Sequence, residues 1–197
     1  MAQYILSFYE YKKIMDQNPP KAFADFLEIG YRTGLRSKFL INLKKENVDL
    51  KDKTVIGTDP KSSLPIYIVL DDRSFEILKC RIDDTKSEYV FSNDEGKPYP
   101  LSYYKICFRR ALEAEPLCYD LKKQRITLHS IRAGNMELLK EFRVPTPEIL
   151  FRQNINMYGL SELEYVTDQS RSVNALNRFM PILYKTVREK ELNGEYD

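Results

Sequence analysis

His129 and Arg132 stand three residues apart in Leu128-His129-Ser130-Ile131-Arg132-Ala133-Gly134-Asn135, and His129 is the only histidine in the chain. Met136, Leu138, Leu139 and Phe142 follow at helical spacing. Residues i and i+3 of a helix share one face. On that face an imidazole can give or take a proton, and a guanidinium can offer its planar fork to a phosphate. The pair therefore suits a site for one anion. It also suits a plain helix start with an arginine in a surface salt bridge, which is the commoner fate of an isolated H-x-x-R. What else in the chain can share that anion decides between the two.

Three other residue types fit such a site. Arg36 ends Thr33-Gly34-Leu35-Arg36, a bend between two apolar helical patterns. Lys61 is the only lysine between Lys53 and Lys79 and sits in a polar loop, Gly57-Thr58-Asp59-Pro60-Lys61-Ser62-Ser63. Most such lysines are simply exposed loop charges. Tyr165 and Tyr158 lie downstream of Arg132, among 14 tyrosines. With so many, spacing alone can single one out.

The elements that must position these residues can be read from periodicity. Residues 3–16 carry Tyr4, Ile5, Phe8, Tyr11 and Ile14 at helical spacing, until Asn18-Pro19-Pro20 breaks the run. A second helix starts near Pro20, carries Phe23, Phe26 and Leu27, and stops at Gly34. A third is expected over 37–45. Two β-branched runs, 53–56 and 64–70, flank the Lys61 loop and predict an antiparallel pair. Helices are expected over 73–82, 102–113, from His129, over 145–153 and over 171–191, with a short strand at 89–91. The predicted class is α+β, mostly helical with a small antiparallel sheet.

Composition limits the function classes. Hydrophobic residues at 43% and charged residues at 30% are ordinary for a globular domain. No apolar run reaches spanning length and no signal peptide is visible, so no membrane partner is expected. Cys80, Cys107 and Cys118 are scattered and odd in number, which points to a reducing compartment. One histidine and scattered cysteines cannot build a usual zinc site, so neither metal nor cofactor is expected. Net charge is only +2, but residues 36–53 and 105–125 each hold six basic against three acidic residues. Two such patches suit solvated faces or contact with a phosphate backbone.

Thr33-Gly34-Leu35-Arg36 resembles the box that carries the first arginine of the tyrosine recombinases, the phage-integrase superfamily. The order that follows is also similar to that family: strands with a loop lysine, helices, H-x-x-R, then a tyrosine. Tyr165 follows Arg132 by 33 residues, which suits the family's gap to its nucleophile, whereas Tyr158 at 26 residues is closer than the family has it. The resemblance spans nearly the whole chain and implies a single catalytic domain, 1–197, with no core-binding domain before it.

The resemblance implies a site of Arg36, Lys61, His129, Arg132, Asn156 and Tyr165. Tyr165 is the implied nucleophile on phosphorus, giving a covalent phosphotyrosine. Arg36 and Arg132 clamp the non-bridging oxygens, His129 handles the tyrosine proton and Lys61 protonates the leaving 5′-oxygen. Two positions depart from the family pattern. Phe39 stands where an acidic residue often lies three after the first arginine, and Asn156 where His or Trp often lies nine before the tyrosine. Asn can still donate to a phosphate oxygen. The implied partner is double-stranded DNA, bound by a homotetramer, in the cytoplasm with the nucleoid or in a host's DNA compartment. The helix over 170–191 is expected to dock its Leu176, Phe179, Met180 and Leu183 on a neighbouring protomer. An inactive DNA-binding descendant and a helical interaction module remain the alternatives.

Overall fold

Ser7 begins the first helix. Its hydroxyl accepts the Glu10 backbone N–H and the Glu10 carboxylate accepts the Ser7 N–H, a reciprocal cap that fixes the start of α1, Phe8–Asp16. The apolar run from residue 4 is therefore helical only after this cap. The structure, a computed structural model, describes residues 4–114, 126–153 and 169–193.

Helix α2, Lys21–Thr33, is buried along almost its whole length and forms the centre of the core. Phe26 stacks on Tyr104 with centroids 4.0 Å apart, and Phe91 meets it edge-on. Gly34 caps α2 in the left-handed conformation (φ 69°), its N–H donating to Gly30 O, as glycine does without steric cost. Helix α3, Ser37–Ile41, is shorter than its apolar pattern suggests.

The sheet has three antiparallel strands in the order β1-β2-β3: β1 Val48–Asp49, β2 Thr54–Thr58 and β3 Pro65–Val69. The two long strands are those expected, paired with Ile56 opposite Tyr67 and Thr58 opposite Pro65. Val55, Ile66 and Ile68 point inward while Ile56 and Tyr67 face out, so the pleat alternates. The strand expected at 89–91 does not form a ladder. Tyr89 bridges only Lys44, through Val90 N–H on Leu43 O and Lys45 N–H on Glu88 O, and Ser92 bridges only Pro98, through Asn93 N–H on Lys97 O and Tyr99 N–H on Phe91 O.

Five helices complete the described chain: α4 Asp72–Asp84, α5 Leu101–Ala114, α6 His129–Glu141, α7 Thr146–Arg152 and α8 Ser170–Leu192. Arg32 of α2 bonds Asp71 at 2.8 Å and Glu28 at 3.1 Å in the interior, tying α2 to the start of α4. Among the described residues no helix is long and apolar enough to cross a membrane.

Helix α6 lies very close to α2 and to the segment before α1. A Cβ on Gly134 would stand 2.2 Å from Leu6 O and 2.7 Å from the Tyr31 ring. The first neighbour is backbone and cannot swing away. Gly134→Ala should therefore cost about 3 kcal/mol by overpacking, although alanine favours helices. Urea unfolding measures this; an unchanged midpoint would refute the close approach.

The expectation for α8 concerns an assembly of protomers; in the single chain its apolar stripe is buried in cis. Leu176 and Met180 are fully buried on their own domain, with Phe179 and Leu183 packed against the same core. Phe179 meets Phe142 at 5.1 Å between centroids, and Tyr184 donates to the Tyr11 hydroxyl at 3.0 Å. An apolar stripe must be buried, and α1, α6 and α7 supply the surface in cis.

Candidate active site

The Thr33-Gly34-Leu35-Arg36 box is rigid from both ends. Thr33 Oγ1 donates to Ile29 O at 2.6 Å and accepts from Leu35 N at 3.3 Å, and Leu35 is buried. Arg36 follows in extended conformation as the N-cap of α3, with a quarter of its side chain exposed.

Arg132 lies one turn into α6, with 7% of its surface exposed, and its Nη1 donates to Gly34 O at 2.7 Å. The close approach of α6 to α2 brings the second arginine onto the turn that carries the first. Burial pushes the Arg132 guanidinium down to about 10, and repulsion from Arg36 adds to this while Asp59 opposes it. Arg132 therefore remains a cation at neutral pH.

Asp59, in the β2–β3 loop, is 1% exposed and meets Arg36 directly: Arg36 Nε donates to its Oδ2 at 2.6 Å. Its Oδ1 accepts the backbone N–H of Lys61 at 2.8 Å and of Ser62 at 3.0 Å. Burial pushes the Asp59 carboxyl up, but these two amides and Arg36 outweigh it and hold the group below the usual carboxylate value. It is thus an anion at neutral pH.

A third arginine lines the same pocket. Leu35, Arg36, Asp59, Ile66, Arg132 and Arg152 share one small cavity between α2, β3, α6 and α7. Arg152 is buried, and its Nη1 donates to Val69 O at 2.8 Å and to Gln169 Oε1 at 2.7 Å. Desolvation pushes it down to about 10, against the pull of Asp71 and Glu148. Asn135 Nδ2 donates to Tyr31 O at 2.8 Å and to Arg32 O at 3.0 Å, and Gln153 Nε2 donates to Asn135 Oδ1 at 2.6 Å. The last carbonyls of α2, which have no partner within the helix, are thus met by side chains of α6 and α7. The frame of the arginine pocket is held by hydrogen bonds as well as by packing.

Of the residues implied by the sequence, Arg36 and Arg132 are brought together. Lys61 is linked to them through its backbone N–H on Asp59, while its side chain is solvent-exposed. His129 is the first residue of α6, exposed, with its N–H on Thr127 Oγ1 at 3.2 Å. Neither of these side chains lines the arginine pocket. Asn156, Tyr158 and Tyr165 lie outside the described residues. Phe39, read as a lost carboxylate, packs under the hairpin: a Cβ on Gly57 would come within 2.7 Å of its ring. Sequence reasoning missed Asp59 and Arg152. Asp59-Pro60 carries a turn signal that hides its second role, and Arg152 in Phe151-Arg152-Gln153 carries no signal. Among the described residues no group of three His, Cys, Asp or Glu side chains is placed to hold a metal.

The pattern of the phage integrase family matches residues 4–149. A search of curated proteins finds no match. Among solved structures, the chain is similar to a lambda integrase(75-356) dimer bound to a COC' core site, with TM-score 0.66 and 19% identity, covering 83% of this chain and 60% of that one. It is similar to a lambda integrase tetramer bound to a Holliday junction (TM-score 0.69, 18% identity, 83% and 50% coverage). The lambda integrase catalytic core matches at TM-score 0.66 and 18% identity, covering 81% of this chain and 96% of that one. At these identities the likeness concerns the fold. The chain spans 60% and 50% of the first two structures.

Proposed function

The chain belongs to the phage integrase family, and we propose that it breaks and rejoins double-stranded DNA at specific sites through a covalent 3′-phosphotyrosine. One observation carries this reading. Two arginines more than 90 residues apart in sequence meet at one pocket, and Arg36 commits only its Nε to a partner among the described residues, at 2.6 Å. Its two Nη atoms are left to receive an anion. A phosphodiester gains charge on its non-bridging oxygens as phosphorus becomes five-coordinate, and fixed cations stabilise that state over the ground state.

In this reading Tyr165 Oη attacks phosphorus and the P–O5′ bond breaks. The phenol has an ordinary pKa of about 10, so its proton must leave to a neighbour, which is His129. Lys61 gives a proton to the departing 5′-oxygen. Asn156 donates to a phosphate oxygen. The phosphotyrosine keeps the phosphoester, so a 5′-hydroxyl can reverse each step and rejoin the strand without nucleotide or metal. The basic stretches 36–53 and 105–125 are assigned to the DNA backbone, and the working assembly to a tetramer on DNA, acting with the nucleoid or in a host's DNA compartment.

A second reading is favoured by Phe39 and Asn156: binding to DNA without cleavage. A duplex nicked near the scissile phosphate separates the two, because its short product diffuses away and traps the adduct. The expected result is a covalent protein–DNA species lost in Tyr165→Phe and kept in Tyr158→Phe. DNA binding with no adduct from the wild-type chain establishes the second reading. An adduct that survives Tyr165→Phe moves the nucleophile elsewhere.

A further inference from the structure

We infer that Asp59 is a positioning residue for the proposed cleavage, a buried carboxylate on the β2–β3 hairpin that orients Arg36 and couples it to the turn carrying Lys61. The inference rests on the reading of Arg36 and Lys61 given above. It concerns a residue that the sequence motifs do not point to.

Phe39 stands where the family often has an acidic residue. That position on α3 would carry a carboxylate one turn after Arg36, and here it carries a ring packed beneath Gly57. No acid on α3 can orient Arg36, since Ser37–Ile41 contains none. The carboxylate comes instead from across the fold, 23 residues later in the chain. Asp59 binds Arg36 through Nε at 2.6 Å, the one donor whose engagement leaves both terminal nitrogens available. A guanidinium is planar, so fixing one N–H and the stem fixes the direction of the whole fork.

The other oxygen does separate work. Oδ1 accepts from Lys61 N at 2.8 Å and Ser62 N at 3.0 Å, while Asp59 N–H donates to Leu64 O at 2.9 Å. The loop is therefore wrapped around one carboxylate. Lys61 sits two residues from the group that holds Arg36, and its exposed side chain swings from a fixed backbone. Asp59 also offsets the repulsion between Arg36 and Arg132, which helps both cations share one pocket.

A loop staple and a positioning residue predict different behaviour for Asp59→Asn. The asparagine Oδ1 can still accept both loop amides, but its NH₂ faces Arg36 as a donor and cannot hold it. Two readouts are needed. The first is the Arg36 Nε–H signal in the ¹⁵N spectrum of the free full chain, identified by its loss in Arg36→Lys. In the wild type it should exchange about tenfold more slowly than an exposed arginine's, and Asp59→Asn should abolish that protection. The second is single-turnover cleavage of the nicked duplex. Asp59→Asn should slow adduct formation about 30-fold or more while the Kd for the duplex changes less than about threefold. Asp59→Ser, whose hydroxyl also accepts the loop amides, should behave alike and serves if the asparagine variant folds poorly.

Retained protection of Arg36 Nε–H in either variant overturns the inference. So does a wild-type cleavage rate in both, or a loss explained wholly by weaker DNA binding. If the wild-type chain binds DNA but forms no adduct, the proposed reaction falls. The exchange measurement then decides alone whether Asp59 orients Arg36.

Discussion

Arg132→Ala should lower the single-turnover rate of adduct formation about 1000-fold while leaving the domain folded. The size follows from where the charge sits. Arg132 is 7% exposed, so a phosphate reaching it leaves most of its water behind. Attraction between opposite charges is worth far more there than at an open surface. Single donors in such settings are worth roughly 10²–10³ in rate, and arginines on a transferring phosphoryl group about 10³–10⁵. Arg36→Ala should fall in the same range, because its Nη atoms and the guanidinium of Arg132 line one pocket and would meet the same phosphate. The effect should lie in rate more than in affinity. DNA binding draws on many phosphate contacts, and removing one changes the salt slope by only about 0.9.

Stability sharpens the same test. Burial holds Arg132 down to about 10 and Arg36 repels it. The folded chain therefore tolerates this charge at some cost, offset in part by the bond to Gly34 O at 2.7 Å. Deleting the charge relieves both penalties, so Tm should fall by no more than about 3 °C. Arg132→Lys should rescue poorly. One ammonium cannot hold Gly34 O and also present a planar pair of donors to phosphate. An Arg132→Ala protein that cleaves within about threefold of wild type would remove Arg132 from the chemistry.

Much of this frame was legible in the sequence, for identifiable reasons. Helix α2 shows its apolar period and ends at Gly34, where the left-handed cap is a glycine's place. The hairpin shows two β-branched runs around a Gly, Asp, Pro and Ser cluster. The box at Arg36 and the H-x-x-R at Arg132 each stand in one short segment, and the fold does join them. What stayed hidden depends on partners far away in sequence. The link between Arg36 and Asp59 belongs to neither segment alone. Asp59 reads as a turn residue, which it is, and nothing local says that its other oxygen meets Arg36. Arg152 is hidden for a different reason: pattern reasoning places an arginine outside, and three oxygens supplied by other segments, Val69 O, Gln169 Oε1 and Arg32 O, make its burial tolerable. Residues 89–91 have strand composition, but their backbone groups are satisfied by loops. Register in short segments is set by the neighbours, which the segment itself does not encode.

Helix α8 gives the other large effect. Its stripe was legible, but a stripe states only that something covers it. In the folded chain the cover is its own domain, so a protein ending before Ser170 should not form a stable, cooperative fold. Leu176 and Met180 are at 0% exposure, and Ala175 and Val187 are nearly as buried. Losing two such large side chains alone costs about 3–6 kcal/mol in transfer free energy. Cavities add to that, and the total stability of a domain this size is about 5–15 kcal/mol. The polar losses fall on the same surface. Glu148 of α7 is 3% exposed and its Oε1 accepts Ser172 N at 2.7 Å and Ser172 Oγ at 2.6 Å. Without α8 that buried carboxylate loses both partners. Lys12 and Lys13 of α1 lose Glu191, at 3.2 Å and 3.1 Å. A thermal melt followed by circular dichroism should therefore show no cooperative transition, or one lowered by more than about 15 °C. A milder variant keeps the test sharp if the truncated chain cannot be purified. Leu176→Ala should cost about 3 kcal/mol, read from the urea midpoint at constant slope. A truncated protein that melts like the full chain would mean that α8 adds nothing in cis, and would return its stripe to a neighbouring protomer.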